Sequence, residues 1–152
     1  MFFILYLKEI TEENWREVAN LSVTTDQKNY IETNKDSLLE AVFDKSLNWL
    51  PLALQDGEII VGFAMVGAFD EKTKSIWLDR LMIDRKFQHQ GYGKRFLKEL
   101  VDYLQQNWII TQIFLSVHQE NKKIFQFYEA AGFVNTHQVD PVNGEIIMVL
   151  TC

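Results

Sequence analysis

The segment Gln88-His89-Gln90-Gly91-Tyr92-Gly93-Lys94 is the stretch of this chain best suited to hold a charged ligand. It lies between a β-rich run ending at Asp84 and an apolar helical pattern that includes Phe96, Leu97 and Leu100. Glycine lets the backbone turn tightly and bring successive N–H groups close to an anion. The start of the following helix adds unpaired donors and the positive end of its dipole. These features describe a pyrophosphate cradle. Two nucleotide cradles are excluded by their own spacing. A dinucleotide fingerprint needs a third glycine where Phe96 stands. A Walker loop needs a glycine where Gln88 stands and a hydroxyl residue where Arg95 stands.

The elements around this loop read from periodicity and punctuation. Phe2–Leu7 is expected as a buried first strand, being too short and lacking the basic flank of a signal peptide or the length of a membrane helix. Thr11 with Glu12 and Glu13 reads as a helix start, leading through Trp15, Val18, Ala19 and Leu21. A second helical pattern holds Leu38, Leu39, Val42 and Phe43. Leu52–Gln55 and Glu58–Phe69 flank a tight Asp56-Gly57 turn, and Ser75–Asp84 continues the run. After the loop, Phe96, Leu97, Leu100, Val101 and Leu104 share one helix face. Arg95–Glu99 and Lys98–Asp102 are spaced as i,i+4 pairs on its outer side. Ile110–Val117 is expected as a buried strand, Lys122–Ala131 as a helix closed by Gly132, and Phe133–Gln138 with Glu145–Leu150 as a last hairpin. The order β-α-α-β-β-β-α-β-α-β-β predicts an α/β (α+β) mixed sheet with helices, not an alternating Rossmann chain.

The pattern Gln88-x-x-Gly91-x-Gly93 resembles the Q/R-x-x-G-x-G/A phosphate loop of the GNAT N-acetyltransferases. Downstream, Asn121, Tyr128-Glu129 and Gly132-Phe133 follow in that family's N…YE…GF arrangement. The matching segment covers roughly residues 77–133. Within the superfamily the chain is most similar to bacterial spermine/spermidine acetyltransferases, through Glu9–Trp15, Trp49–Ala53 and Trp77–Asp84. The resemblance implies the GNAT fold over one domain, residues 1–152: a mostly antiparallel mixed sheet, splayed at its fourth and fifth strands, with helices on both faces.

The resemblance also implies acetyl-CoA as co-substrate, with no metal. Backbone N–H groups of Gln88, His89, Gln90, Gly91, Tyr92, Gly93 and Lys94 would hold its diphosphate, and Lys94 is the base favoured to reach a phosphate. His89 would contribute its backbone while its imidazole faces solvent. Leu81, Met82 and Ile83 would pair their main chain with the pantetheine arm, whether or not their side chains also fill the core. Asn121 either contacts that arm or caps the following helix. Tyr128 matches the acid that protonates the departing thiolate; its alternative is a core tyrosine. Asp79 matches a base-like glutamate one carbon longer and is read as base or substrate anchor, because amines of the lysine type titrate near ~10.4 and must lose a proton to attack. Strict strand alternation would put Asp79, Leu81 and Ile83 on one face.

Charge placement is consistent with a cationic acceptor. The 152 residues carry 15 Lys plus Arg and 21 Asp plus Glu, a net charge of −6. Residues 1–58 hold eleven acids against five bases, whereas 59–152 hold ten of each. Asp26, Glu32, Glu40 and Asp44 are therefore candidate amine anchors. Residues 80–98 are locally basic, with Arg80, Arg85, Lys86, Lys94, Arg95 and Lys98 against Asp84. An acidic chain disfavours nucleic acid as a partner, and no segment favours a membrane. The single cysteine, Cys152, permits no intrachain disulfide, which fits a reducing cytoplasm. Trp49 and Trp108 read equally well as core residues or as part of a homodimer interface. The expected reaction is transfer of an acetyl group to a polyamine amine. The alternatives are acetylation of another cationic amine (an aminoglycoside, a protein or peptide amine) or a non-catalytic acyl-CoA-binding regulatory protein.

Overall fold

The computed structural model describes residues 3–152. Seven strands form one sheet: β1 (Leu5–Glu9), β2 (Leu50–Asp56), β3 (Ile59–Asp70), β4 (Ser75–Ile83), β5 (Gln112–Val117), β6 (Val134–Val139) and β7 (Ile146–Thr151). Their spatial order is β1-β2-β3-β4-β5-β7-β6. All neighbours are antiparallel except β4 and β5, which run parallel. The helices are α1 (Trp15–Asn20), α2 (Asn34–Phe43), α3 (Tyr92–Asn107) and α4 (Lys122–Ala130). The element order expected from the sequence is the one observed. The first strand begins later than expected, at Leu5, and Phe2 lies outside the described residues.

Each face of the sheet carries its own core. Phe96, Leu97, Leu100 and Leu104 of α3 and Tyr128 of α4 pack on Val61, Ala64, Ile76, Leu78 and Leu115. On the opposite face, Val18 of α1 packs with Ala53, Phe63, Met65 and Met82, and Leu38 and Ala41 of α2 close over them. At about 25 cal/mol per Å² of apolar area buried, these two layers are the main source of stability. Trp49 packs against the second core, and Trp108 packs against the first, 6.0 Å from the Tyr103 ring.

Three local expectations are corrected. Helix α1 starts at Trp15, because Thr11 caps a turn: its hydroxyl accepts from the Glu13 N–H, while its own N–H donates to the Asn14 side chain. Leu39, Val42 and Phe43 of α2 point outward, and its buried residues are Asn34 and Ser37. Thr33 caps this helix by accepting from the Asp36 N–H, and the Asn34 amide donates to the Val18 carbonyl, so polar bonds as well as packing seat it. On α3, Lys98 and Asp102 pair at 3.1 Å as spaced, whereas the Arg95 guanidinium instead lies 4.7 Å from the Phe3 ring centroid.

Candidate active site

The parallel pairing of β4 with β5 is brief. It covers Ser75, Ile76 and Trp77 against Gln112, Ile113 and Phe114, and then stops. From Leu78 onward, the edge of β4 that faces β5 has no strand partner among the described residues, while β5 stays paired with β7 through Val117. The two strands therefore open a wedge in the sheet. Backbone donors and acceptors along such an open edge can pair with an extended ligand as another strand would.

A second irregularity shapes the wall of the wedge. Met65 of β3 pairs with Arg80, but the next residue, Val66, pairs with Leu78. Asp79 is the extra residue of a β-bulge, and a bulge changes side-chain parity along a strand. Ile76 and Leu78 pack with α3 and α4, as do Leu81 and Ile83 beyond the bulge, whereas Met82 packs with α1 and α2. Asp79 and Arg80 consequently lie on the same side, toward α2. This overturns the expectation that Asp79 shares a face with Leu81 and Ile83. Gly62 of β3 keeps the strands close at this level, since a Cβ there would stand 2.4 Å from the Met82 carbonyl oxygen.

The loop expected to cradle phosphate leaves β4 through a single 3-10 turn, Arg85–Phe87, and enters α3 at Tyr92. Among the described residues, none of the backbone N–H groups from Gln88 to Lys94 donates a hydrogen bond. His89 and Gly91 have positive φ, 62° and 89°. Among the described residues, nothing beyond its own neighbours in the chain lies within 4 Å of where a Gly91 Cβ would stand. The Gln88 side chain works inward: its Nε2 donates to the Ile83 carbonyl and to Gln27 Oε1, both at 2.9 Å. The Tyr92 hydroxyl donates to Asp56 at 2.6 Å, and that bond pushes the phenol up to about 12. Gln88 and Tyr92 thus fix the loop through their side chains, and its main-chain donors stay unpaired among the described residues. His89, Gln90 and Lys94 are exposed. Arg95 stacks on the Phe3 ring and Lys98 pairs with Asp102, which leaves Lys94 as the helix-start base with neither a ring nor an ionic partner among the described residues.

On the α3/α4 side, Tyr128 is 7% exposed, with the rings of Phe127 and Phe133 5.1 and 5.6 Å away. Burial pushes its phenol well above the usual tyrosine range, so it stays protonated. Its hydroxyl makes no hydrogen bond among the described residues. Asn121 occupies the N-cap position of α4, yet its side chain makes no capping bond among the described residues.

The side of the wedge toward α2 is acidic. Arg80 Nη1 bonds Asp79, and Nη2 lies 3.0 Å from both Glu32 and Glu40. Glu32 and Glu40 join this cluster; Asp26 accepts from the Thr24 hydroxyl in the preceding loop, and Asp44 ends α2. Burial pushes the Asp79 carboxyl up to about 6, opposed by the adjacent Arg80 and reinforced by Glu40, Glu32 and Glu145. Glu145 begins the last hairpin arm and accepts from the Ser116 hydroxyl of β5 at 2.7 Å. It borders a hollow of about 250 Å³ lined also by His118, Gln119 and Asn143. On this same sheet face, Trp77 and Phe114 stack with centroids 5.5 Å apart. Asp79 stands two residues past Trp77 on β4, and Ser116 two past Phe114 on β5, so carboxylates border the wedge from both strands. Arg80 belongs to this acidic side, not to the basic loop and helix start that its neighbours in sequence would indicate. Glu145 lies beyond the acid-rich stretch that charge counting singles out, and it comes to the wedge because β7, which it precedes, pairs with β5.

The match to known families follows this geometry. A family model described as "Acetyltransferase (GNAT) family" matches residues 7–133. The chain belongs to the GNAT acetyltransferase family. It is 34% identical, over 94% of its length and 95% of the relative's, to a spermine/spermidine N(1)-acetyltransferase of Bacillus subtilis. A crystal structure of spermidine N-acetyltransferase from Vibrio cholerae in complex with CoA and spermine superposes with a TM-score of 0.75 at 18% identity, covering 97% of this chain and 95% of that one. An aminoglycoside acetyltransferase in complex with coenzyme A reaches 0.80 at 16% identity, covering 97% and 94%. These two superpositions establish the GNAT fold and do not separate the acceptors. Among the described residues no helix of this GNAT chain is long and apolar enough to cross a membrane.

Proposed function

We propose that this protein transfers the acetyl group of acetyl-CoA to a primary amine of a polyamine such as spermidine or spermine. The observation that carries this reading is the pairing of a loop of unbonded main-chain donors with a carboxylate-bordered, aromatic-floored opening on the other side of one splayed strand. Acetyl-CoA supplies an activated thioester. The loop N–H groups from Gln88 to Lys94 hold its diphosphate, with Lys94 adding charge. The open edge of β4 at Leu81 and Met82 aligns the arm; the Ile83 carbonyl is already taken by Gln88. The Asn121 side chain supports the arm from the start of α4.

On the acceptor side, Asp79 attracts the substrate ammonium and takes its proton, directly or through water, leaving a neutral nitrogen able to form the C–N bond. A carboxyl raised to about 6 is a stronger base than an ordinary one. As the C–S bond breaks, the Tyr128 phenol donates its proton to the thiolate, and the second proton shed by the acylated nitrogen returns through water to the phenolate. Glu32, Glu40 and Glu145 set a negative field that suits a chain of ammonium groups. The 34% identity to the Bacillus enzyme supports the same acceptor class. Steady-state rates with acetyl-CoA and spermidine, spermine, an aminoglycoside and peptide amines test this. The expected result is a kcat/KM for a polyamine at least tenfold above the others. Turnover confined to aminoglycosides or peptides would overturn the acceptor assignment, and tight acetyl-CoA binding with no transfer to any amine would favour a regulatory role.

A further inference from the structure

We infer that Arg80 is a positioning residue for the acceptor half of the reaction: its guanidinium fixes the Asp79 carboxylate at the wedge, keeps it charged, and ties the Glu32–Glu40 segment to β4. The inference rests on the proposed reading of Asp79 as base or anchor. In a regular strand consecutive side chains leave opposite faces, so Asp79 and Arg80 could not meet in this way. The bulge at Asp79 brings them together. The guanidinium then spans three elements, reaching Asp79 on β4, Glu32 in the loop before α2, and Glu40 on α2. Arg80 is 13% exposed in its side chain. Among the described residues it is the one base within ion-pair range of these carboxylates.

Its remaining donor underlines the purpose of the placement. Arg80 Nε is sealed from solvent with no acceptor among the described residues, so the fork is aimed at the carboxylates and leaves that donor unpaired there. The charged groups facing Asp79 are Arg80 on its own strand, Glu40 from α2, Glu32 from the loop before it, and Glu145 from the β6–β7 connection. Three of the four are acidic. Without the guanidinium, a largely buried carboxyl among three acids takes up a proton. A protonated Asp79 can neither accept a proton from an ammonium nor attract one.

The test is a ¹³C NMR titration of the Asp79 carboxyl in the unliganded protein, with the acid limb of log kcat/KM for spermidine as second readout. Arg80→Gln is expected to move the Asp79 midpoint upward by about one pH unit or more. Arg80→Lys, which keeps the charge, returns it most of the way. Glu40→Gln moves it downward, and each kinetic limb follows its titration. An Asp79 midpoint unmoved by Arg80→Gln overturns the inference. Should that variant fail to fold, a midpoint unmoved by Glu40→Gln, or one that the charge-keeping Arg80→Lys raises by a full pH unit or more, overturns it equally. The titration needs no substrate. Midpoints that move as expected alongside no polyamine turnover would sink the acceptor assignment and leave the action of Arg80 on Asp79 standing.

Discussion

Replacing Asp79 by Asn should make the protein more stable and much less active, and the stability gain should depend on pH. The side chain is 19% exposed, and burial outweighs its ion pair with Arg80, raising the carboxyl from 3.8 to about 6. The folded state therefore binds the Asp79 proton more tightly than the unfolded chain does. The resulting stability is fully present below the unfolded value of 3.8 and is lost as pH rises through about 6. At about 1.4 kcal/mol for each pH unit, the gap sets a ceiling of about 3 kcal/mol. Sharing of the interaction among Arg80, Glu32 and Glu40 lowers the expected gain to about 1–3 kcal/mol at pH 7.5. For a chain of this length that is a rise of about 2–10 °C in Tm. Denaturant melts of both proteins from pH 4 to 8 provide the assay, with acetylation rates measured in parallel. The gain should be near zero at pH 4, grow between 4 and 6, and then level off, while kcat/KM falls by about 10²-fold or more. An Asn variant less stable at pH 7.5, or equally stabilised at pH 4, would refute this reasoning about the buried carboxyl.

Other substitutions separate the remaining parts of the site. Tyr128→Phe should lower kcat by about 10²-fold with acetyl-CoA affinity unchanged, and should leave stability within about 0.5 kcal/mol because the hydroxyl has no protein partner; a large loss of stability would mean the hydroxyl is structural. Gly91→Ala introduces a Cβ at φ 89°, costing about 1–2 kcal/mol in a thermal melt and raising the KM for acetyl-CoA several-fold; an unchanged KM would remove Gly91 from the cradle. Gln88→Ala frees the Ile83 carbonyl and the Gln27 amide, so it should raise the KM for acetyl-CoA more than that for spermidine, as two-substrate kinetics would reveal.

Much of the fold was legible because the signals are local. The five-residue stripe of α3, the Gly132 stop after α4 and the Asp56-Gly57 turn each follow from a short window, and together they set the element order. The turn at Gln88–Lys94 and the helix start after it were legible for the same reason, since glycine spacing and a helix start are neighbours in the chain. The bulge was not. Whether Asp79 is paired or extra depends on which residue of β3 lies opposite, and alternation read along β4 alone cannot register that. Its consequence is that Arg80, five residues from the next base in a basic window, turns instead toward the acids of α2. Tertiary context likewise overrode the apolar pattern of α2, where Leu39, Val42 and Phe43 face outward while Asn34 and Ser37 are buried. Counting acids along the chain pointed to residues 1–58 and passed over Glu145, which reaches the wedge only because β7 lies beside β5.

The most direct test of the account is a backbone amide NMR titration of the protein with coenzyme A. It predicts that the N–H signals from Gln88 to Lys94 move downfield together as the diphosphate accepts their hydrogen bonds, with Leu81 and Met82 following along β4. Binding that leaves those amides unmoved and perturbs another surface would contradict it.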